Sequence, residues 1–389
     1  MEEFTSHIPR IVFGKGKVRE LAALVEPVGK KALLAIDPFL YRDSPKGQEI
    51  LKQLQDRSLF VVPYWEISPD PPFRDVDKAG GIARENQCDC VIAVGGGSTM
   101  DFGKAVAVVA RNPGSAWQYT RRKDHTPLVP GPATLPVVAV PTTAGTGSEA
   151  TQYSVLSHPD LREKSTIVHD RIMPVLAVVD PEMTYSMPLR LTTFTGLDVL
   201  THAAESYITL KATAFSRMFS LEALRRVGRY LRQAVANGNN ERARGEMAWA
   251  STLGGIAIAH ANPTLPHALG QAFGAYVGVP HGASVAALLP EIMRRSFSAD
   301  LEGFAAIAVA LDPSAEALPL YERAERSIFL VERLFGDLGF TVRLSDFGLK
   351  ESDIGAITKI ALTAFATSIG SHPKECAEEE ITQIYRACL

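Results

Sequence analysis

The sequence predicts an α/β domain built on a parallel sheet, at about residues 1–186, followed by an all-α domain at about 187–389. Three observations predict it. Short β-branched runs alternate with helical segments through the first half, the pattern of strand–helix–strand units. Those runs are continuously apolar, as strands covered on both faces must be. After about Met187 the β runs stop and helical periodicity takes over. A length of 389 residues suits two domains better than one core.

The elements follow in order. Strands are expected at Ile11–Phe13, Ala32–Ile36, Phe60–Val62, Val91–Val94, Val137–Val140 and Val175–Val179. Helical periodicity falls at Val18–Val25, Gln48–Arg57, Val76–Asn86 and Met100–Ala110. In the second half, helices are expected at Leu191–Leu210, Ala214–Ala236, Arg242–Ala261, Ala283–Ser298, Leu320–Phe335 and Glu378–Ala387. Asn237–Gly238–Asn239–Asn240, Asp312–Pro313 and Gly336–Asp337 punctuate them. Residues 112–134 carry four prolines and no periodicity. A stretch this long and irregular belongs beside a functional site or forms a surface loop.

Composition excludes several classes. Hydrophobic residues at 46% and charged residues at 21% rule out a disordered chain. The 40 basic and 43 acidic residues leave a formal charge of −3, with no basic stripe for nucleic acid. The one cationic cluster, Arg121-Arg122-Lys123, is followed directly by Asp124. The acidic start has no apolar segment of a signal peptide, and no apolar run is long enough to span a bilayer. Four cysteines make no disulfide framework, and Cys88-Asp-Cys90 lacks the spacing of a zinc knuckle. Buried free thiols and a soluble, cytoplasmic protein are the expectation.

Two loops carry chemistry. In Val91-Ile-Ala-Val-Gly-Gly-Gly-Ser-Thr-Met-Asp-Phe-Gly-Lys104 a buried strand runs into Gly95, Gly96, Gly97 and Ser98, then into a helix. Glycines allow close backbone approach, and the helix aims free N–H groups and a positive dipole end at the same point, which suits a phosphate. Ser98 is a reasonable N-cap. The alternative is a plain tight turn, since the motif is neither a Walker loop nor GxGxxG. Pro141-Thr-Thr-Ala-Gly-Thr-Gly-Ser-Glu149 also follows an apolar strand and offers Thr142, Thr143, Thr146 and Ser148 hydroxyls. It is either ligand-binding or a self-capping turn. Asp37 ends a strand where a carboxylate can take ribose hydroxyls.

A third set of residues suits a metal. Asp198 and His202 are spaced i, i+4 in Thr195–Tyr207, so both project from one helix face. His267 and His281 lie in an apolar, small-residue segment, Leu265–Gly282. One carboxylate and three imidazoles could hold Zn²⁺ or Fe²⁺, with His260 competing with His267 for a place. Core histidines bonded to carbonyls are the competing reading.

The segments GGGSTMDFGK, PTTAGTGSEAT, GLDVLTHAAESY and HALGQAFGAYVGVPHG, in this order along nearly the whole chain, resemble the iron-containing (group III) alcohol dehydrogenase family. The resemblance implies an N-terminal α/β dinucleotide-binding domain and an all-α C-terminal metal-binding domain, the fold shared with dehydroquinate synthase. It implies that Gly95, Gly96, Gly97 and Ser98, with Asp101, hold the pyrophosphate turn. It places Thr142, Thr143, Thr146 and Lys164 along the cofactor and Asp37 at the adenosine ribose, favouring NAD over NADP. It puts Asp198, His202, His267 and His281 on the four ligand positions of Fe²⁺ or Zn²⁺ and sets His260 aside. It also suggests a homodimer or larger homo-oligomer.

One departure stands out. Family members carry a second histidine four residues after the third ligand, and here that residue is Gln271. Glutamine hydrogen-bonds but carries no proton. Water, a ribose hydroxyl or His260 could take its place. The expected activity is hydride transfer between a nicotinamide and a small alcohol or aldehyde. The alternatives are a dehydroquinate synthase-like lyase and a non-catalytic nucleotide- and metal-binding protein. The apolar residues around the histidines, Ala268, Leu269, Ala272 and Phe273 among them, speak against the anionic substrate of such a lyase.

Overall fold

The structure, a computed structural model, describes residues 3–123 and 125–389. Met1, Glu2 and Asp124 lie outside the described residues, and with them part of the acidic start and the acid that closes the cationic cluster. The chain divides into two compact units. One comprises His7–Thr143 and Gly147–Tyr185; the other comprises Ser186–Leu389 with Ala144–Thr146 and the N-terminal stretch.

The first unit is α/β. Its strands are β1 (Arg10–Phe13), β2 (Lys31–Ile36), β3 (Phe60–Tyr64), β4 (Cys90–Gly95), β5 (Thr120–Arg121), β6 (Val137–Pro141), β7 (Tyr153–His158), β8 (Glu163–Val168) and β9 (Leu176–Val179). Its helices are α1 (Leu21–Val25), α2 (Pro38–Asp43), α3 (Pro45–Asp56), α4 (Phe73–Glu85) and α5 (Gly97–Val109). Six parallel strands form one sheet in the order β1-β9-β6-β4-β2-β3. Side chains on β2 alternate between two cores. Leu33 and Ala35 join the apolar faces of α4 and α5, while Ala32, Leu34 and Ile36 join those of α1 and α3. Both faces of the central strands β2, β4, β6 and β9 are buried, which is why those strands are nearly continuously apolar.

The strand order has a functional consequence. From β2 the chain steps outward to β3, then crosses back to β4 and proceeds to β6 and β9. The order thus reverses between β2 and β4. In open α/β sheets ligands bind at such a switch point, beyond the carboxyl ends of the strands.

A second, antiparallel sheet, β5-β8-β7, was not expected from the sequence. Ser154, Ser157, Lys164 and Ser165 interrupt its apolar pattern, so period-2 alternation does not show. It borders the proline-rich segment 112–134, which is pinned: Ser115 Oγ and the Ala116 N–H both donate to Asp77. Trp117 packs edge-on against His158.

The second unit is helical: α6 (Leu189–Ile208), α7 (Ala214–Ala236), α8 (Glu241–Ala261), α9 (Leu265–Val277), α10 (His281–Ala286), α11 (Leu289–Ser296), α12 (Leu301–Leu311), α13 (Leu320–Asp337), α14 (Ile354–Ala364), α15 (Ala366–Ile369) and α16 (Glu378–Cys388). The single helix expected at 283–298 is two. Pro290 sits in the first turn of α11, where its missing N–H costs nothing, and could not continue α10. Buried Arg244 fixes the start of α6 by donating to Thr192 Oγ1 at 2.7 Å and to the Met187 carbonyl at 3.1 Å. The cysteines are free, and three of the four are buried. No helix among the described residues is long and apolar enough to cross a membrane.

His372 is buried between Ser296 Oγ at 2.8 Å and Thr264 Oγ1 at 3.3 Å. Burial pushes its imidazole down to about 3, and nearby Lys374 adds to this. The unfolded chain takes up this proton near pH 6.5 and the folded chain does not. The stability is therefore present above pH 6.5 and is lost progressively as pH falls toward 3. Chemical denaturation at pH 7 and pH 4 should show a loss of stability on the order of 3 kcal/mol that is absent from His372→Gln. Equal pH slopes in the two proteins would refute it.

Candidate metal and cofactor sites

The metal-type cluster is built on three helices of the second unit. Asp198 and His202 lie one turn apart on α6, His267 in the first turn of α9, and His281 at the start of α10. One donor atom from each lies within 4.8 Å of all the others. Asp198 Oδ1 is the hub: it stands 3.5 Å from Nε2 of His267, 3.5 Å from Nε2 of His281 and 3.8 Å from Nε2 of His202. Donors bonded at about 2.1 Å to one ion stand roughly 3 to 3.4 Å apart, so the spacing is close to that of a ligand set.

Packing makes this convergence possible. A Cβ on Gly282 would lie 2.2 Å from the Phe194 carbonyl oxygen and 3.3 Å from Asp198 Cβ. Only glycine lets α10 approach α6 closely enough for His281 to face Asp198.

The electrostatics are those of a buried charge cluster. Burial alone would raise Asp198, but the imidazoles of His202, His281 and His267 hold its carboxyl well below the usual carboxylate range. Burial pushes His202 down to about 4 against the pull of Asp198. His267 is also penalised by burial. The Glu205 charge, the neighbouring Asp198 carboxylate and the hydrogen bond to Glu205 outweigh that and lift it to about 10. A proton and a cation are alternatives for the same His267 lone pair. Asp198 Oδ1 and His267 Nε2 are buried without a hydrogen-bond partner. Buried polar atoms are rarely left so, and one cation facing them would satisfy the hub. The residues present fit a divalent first-row metal.

Glu205 was not singled out from the sequence. It lies on α6 in the i, i+4, i+7 series with Asp198 and His202, a signal that was available. Its Oε1 accepts from His267 Nδ1 at 2.6 Å. Gln271, one turn along α9 from His267, is buried and its Oε1 has no partner. His260 stands outside the four-donor cluster: its Nδ1 meets the Ile256 carbonyl at 2.7 Å and its ring packs on Phe215.

In the α/β unit, Asp37, the glycine loop and Thr142 with Thr143 end three adjacent strands, β2, β4 and β6. These are the strand ends at and beside the switch point. Gly96, not Ser98, is the N-cap of α5, and no side chain caps the helix. The first amides of α5 therefore lack intrahelical acceptors and point into the loop. Gly95 is required by space rather than by dihedral: a Cβ there would lie 2.4 Å from Thr99 Oγ1. Ser98 Oγ instead accepts from the Asp70 N–H at 3.2 Å. Asp70, a residue that drew no notice in the sequence, also pairs with buried Lys164 at 2.8 Å. Lys164 is thereby held beside the glycine loop. Asp37 Oδ1 caps α2 through the Phe39 and Leu40 N–H groups.

Asp101 lies on the far side of this design. Its Oδ1 accepts from Ser148 Oγ at 2.6 Å and its Oδ2 from the Val155 N–H at 2.9 Å. Its carboxylate is thus committed to the protein's own scaffold. Buried Lys104 donates to Ser148 O and Oγ, Thr151 Oγ1 and the Tyr153 carbonyl, at 2.6 to 3.1 Å. Thr146 groups with the helical unit, where Gly145 lies against Thr195.

Comparison with known proteins gives the same two-part division. The family model for iron-containing alcohol dehydrogenase matches residues 9–181, and that for the C-terminal part of the Fe-containing alcohol dehydrogenase family matches residues 192–389. The chain belongs to the iron-containing alcohol dehydrogenase family. This iron-containing dehydrogenase relative is 37% identical over 363 residues to 1,3-propanediol dehydrogenase of Klebsiella pneumoniae, covering 92% of this chain and 91% of that one. It is 32% identical over 383 residues to NAD-dependent methanol dehydrogenase of Bacillus methanolicus, covering 98% of each. Among solved structures, an archaeal halo-thermophilic alcohol dehydrogenase from a Red Sea brine pool superposes with a TM-score of 0.95 at 28% identity over the full length of both chains. As a member of this family the chain is an oxidoreductase of the alcohol dehydrogenase type.

Proposed function

We propose that the chain is a divalent-metal-dependent, NAD-linked dehydrogenase that interconverts a small alcohol and its aldehyde. The observation that carries the reading is the buried cluster of Asp198, His202, His267 and His281 around an orphaned carboxylate oxygen. Membership of the iron-containing family and the NAD-dependent methanol dehydrogenase among its relatives support it.

Asp198, His202, His267 and His281 hold the ion, either Fe²⁺ or Zn²⁺. When bound, the ion supplies Lewis acidity to the substrate oxygen and the nicotinamide exchanges hydride with the carbinol carbon. The chain does the rest. The free amides at the start of α5, with Gly95, Gly96, Gly97 and Ser98, hold the pyrophosphate against the helix dipole. Thr142, Thr143 and Thr146 offer hydroxyls along the cofactor, and Lys164, fixed by Asp70, offers a cation. Asp37 takes the adenosine ribose hydroxyls and repels a 2′-phosphate, which favours NAD over NADP. Asp101 acts one step back, by fixing Ser148 and β7 against α5. Gln271 orients a donor group and moves no proton, so the hydroxyl proton leaves through water or a ribose hydroxyl. A cytoplasmic homodimer or larger homo-oligomer belongs to the same reading.

The test is to load the purified protein anaerobically with Fe²⁺ or Zn²⁺ and follow NADH oxidation against short aldehydes and hydroxyaldehydes. Metal-dependent turnover that prefers NADH to NADPH is expected. Silence across the panel, with metal and NADH both bound, would overturn it.

A further inference from the structure

We propose that Glu205 is a positioning residue of the metal centre. It fixes the ring and tautomer of His267 and supplies the centre's second negative charge. The proposal rests on the reading of the four-donor cluster as a metal site.

Glu205 is 1% exposed. Both its oxygens are committed. Oε1 takes the Nδ1–H of His267 at 2.6 Å, and Oε2 takes the backbone N–H of Thr264, the residue that caps α9. The first bond assigns the proton of His267 to Nδ1 and leaves the Nε2 lone pair for Asp198's neighbourhood, 3.5 Å from Oδ1. The second ties the start of α9, and with it His267, to α6, which carries Asp198 and His202. Three of the four donors are thus aligned by one side chain.

A fold needing only to join α6 to α9 would do so with an apolar contact. Burying a carboxylate is costly, and replacing buried charge by well-packed apolar groups is often neutral or stabilising. The retained charge is accounted for by what it faces. Two carboxylates, Asp198 directly and Glu205 through an imidazole, balance a divalent ion, and a carboxylate behind a ligand histidine raises that ligand's basicity.

Glu205→Gln separates positioning from anchoring. A glutamine can accept from His267 Nδ1–H or from the Thr264 N–H through its one oxygen, while its NH₂ faces the other donor. Glu205→Asp keeps the charge on a shorter arm. Metal-free wild type and both variants are titrated anaerobically with Co²⁺. Affinity is read by competition with a chromophoric chelator, geometry by the visible absorption bands of the bound Co²⁺, and fold by thermal melting of the metal-free proteins. The expected result is a 10- to 100-fold weaker affinity in Glu205→Gln with altered Co²⁺ bands, and partial recovery of both in Glu205→Asp. The metal-free melts show that the variants fold; a lower melt in Glu205→Gln is expected from the amide NH₂ facing a buried donor, and the affinity and the bands decide the proposal. Wild-type affinity and bands in Glu205→Gln, with a lower metal-free melt, would make Glu205 a helix anchor only and overturn the proposal. If Glu205→Gln does not fold, wild-type affinity and bands in Glu205→Asp do the same. Absence of Co²⁺ binding by the wild type would instead remove the metal reading itself.

Discussion

Replacing His267 with alanine is expected to remove metal binding and turnover together. The substitution deletes one of the four candidate metal-binding side chains and the hydrogen-bond donor of the Glu205 bond, so Glu205 is left as a buried carboxylate without its imidazole. Lewis acidity contributes several kcal/mol to such a reaction, so kcat/KM should fall on the order of 10³-fold or more. Metal content should fall from near one per chain to near zero. NADH should still bind, because the glycine loop and its strands lie in the other unit. Normal turnover in His267→Ala would refute the ligand assignment. Loss of NADH binding along with the metal would point to general unfolding.

The second large effect is expected at Lys104. Its ammonium is fully buried, and two of its four acceptors are backbone carbonyls in the segment after β6. It also neutralises Asp101, 3.8 Å away. Burial pushes the amine down to about 8, with the Asp101 and Glu149 charges opposing. Lys104→Met is close in volume but leaves two carboxylates and several acceptors without a cation. Breaking one side of a buried pair costs about 3–5 kcal/mol. For a unit of this size that corresponds to a drop of about 10 °C in melting temperature. Cofactor affinity should also fall if the free amides of α5 hold the pyrophosphate as proposed, because Lys104 locks α5 onto the chain that follows β6. A melt within about 2 °C of wild type would show that the cation is dispensable.

Both effects bear on how much could be read from the chain alone. The central strands β2, β4, β6 and β9 were legible because they are buried on both faces and so are nearly continuously apolar, and the partly exposed edge strands β1 and β3 through their short β-branched runs. The β7–β8 hairpin was not, because its serines and Lys164 spend their side chains on the fold's own network. Asp198 and His202 were legible as a pair through their i, i+4 spacing. That spacing could not say which of His260 and His267 joins them, since the deciding term is the tie from Glu205 on α6 to Thr264 and His267 at the start of α9. Ser98 looked like a helix cap by type, but the extended backbone at Gly96 starts the helix two residues earlier. Asp101 looked like a ligand-facing acid by position in the motif, while its oxygens face Ser148 and Val155. Asp70 gave no signal at all, because its role depends on a contact across nearly a hundred residues to Lys164.

The approach of three helices at Asp198 also bears on endurance. The four donors span roughly 80 residues of chain, and one ion held by all of them, as proposed, would act as a removable crosslink. Closing a loop of that length costs an unfolded chain about 4 kcal/mol in entropy, a cost that the clasped native state has already met. Resistance to heat would then follow metal supply by mass action, and a partly filled preparation would melt in two steps from a single sequence. The four residues proposed to hold the metal would thereby make the durability of the helical unit a property of its surroundings as well as of its sequence.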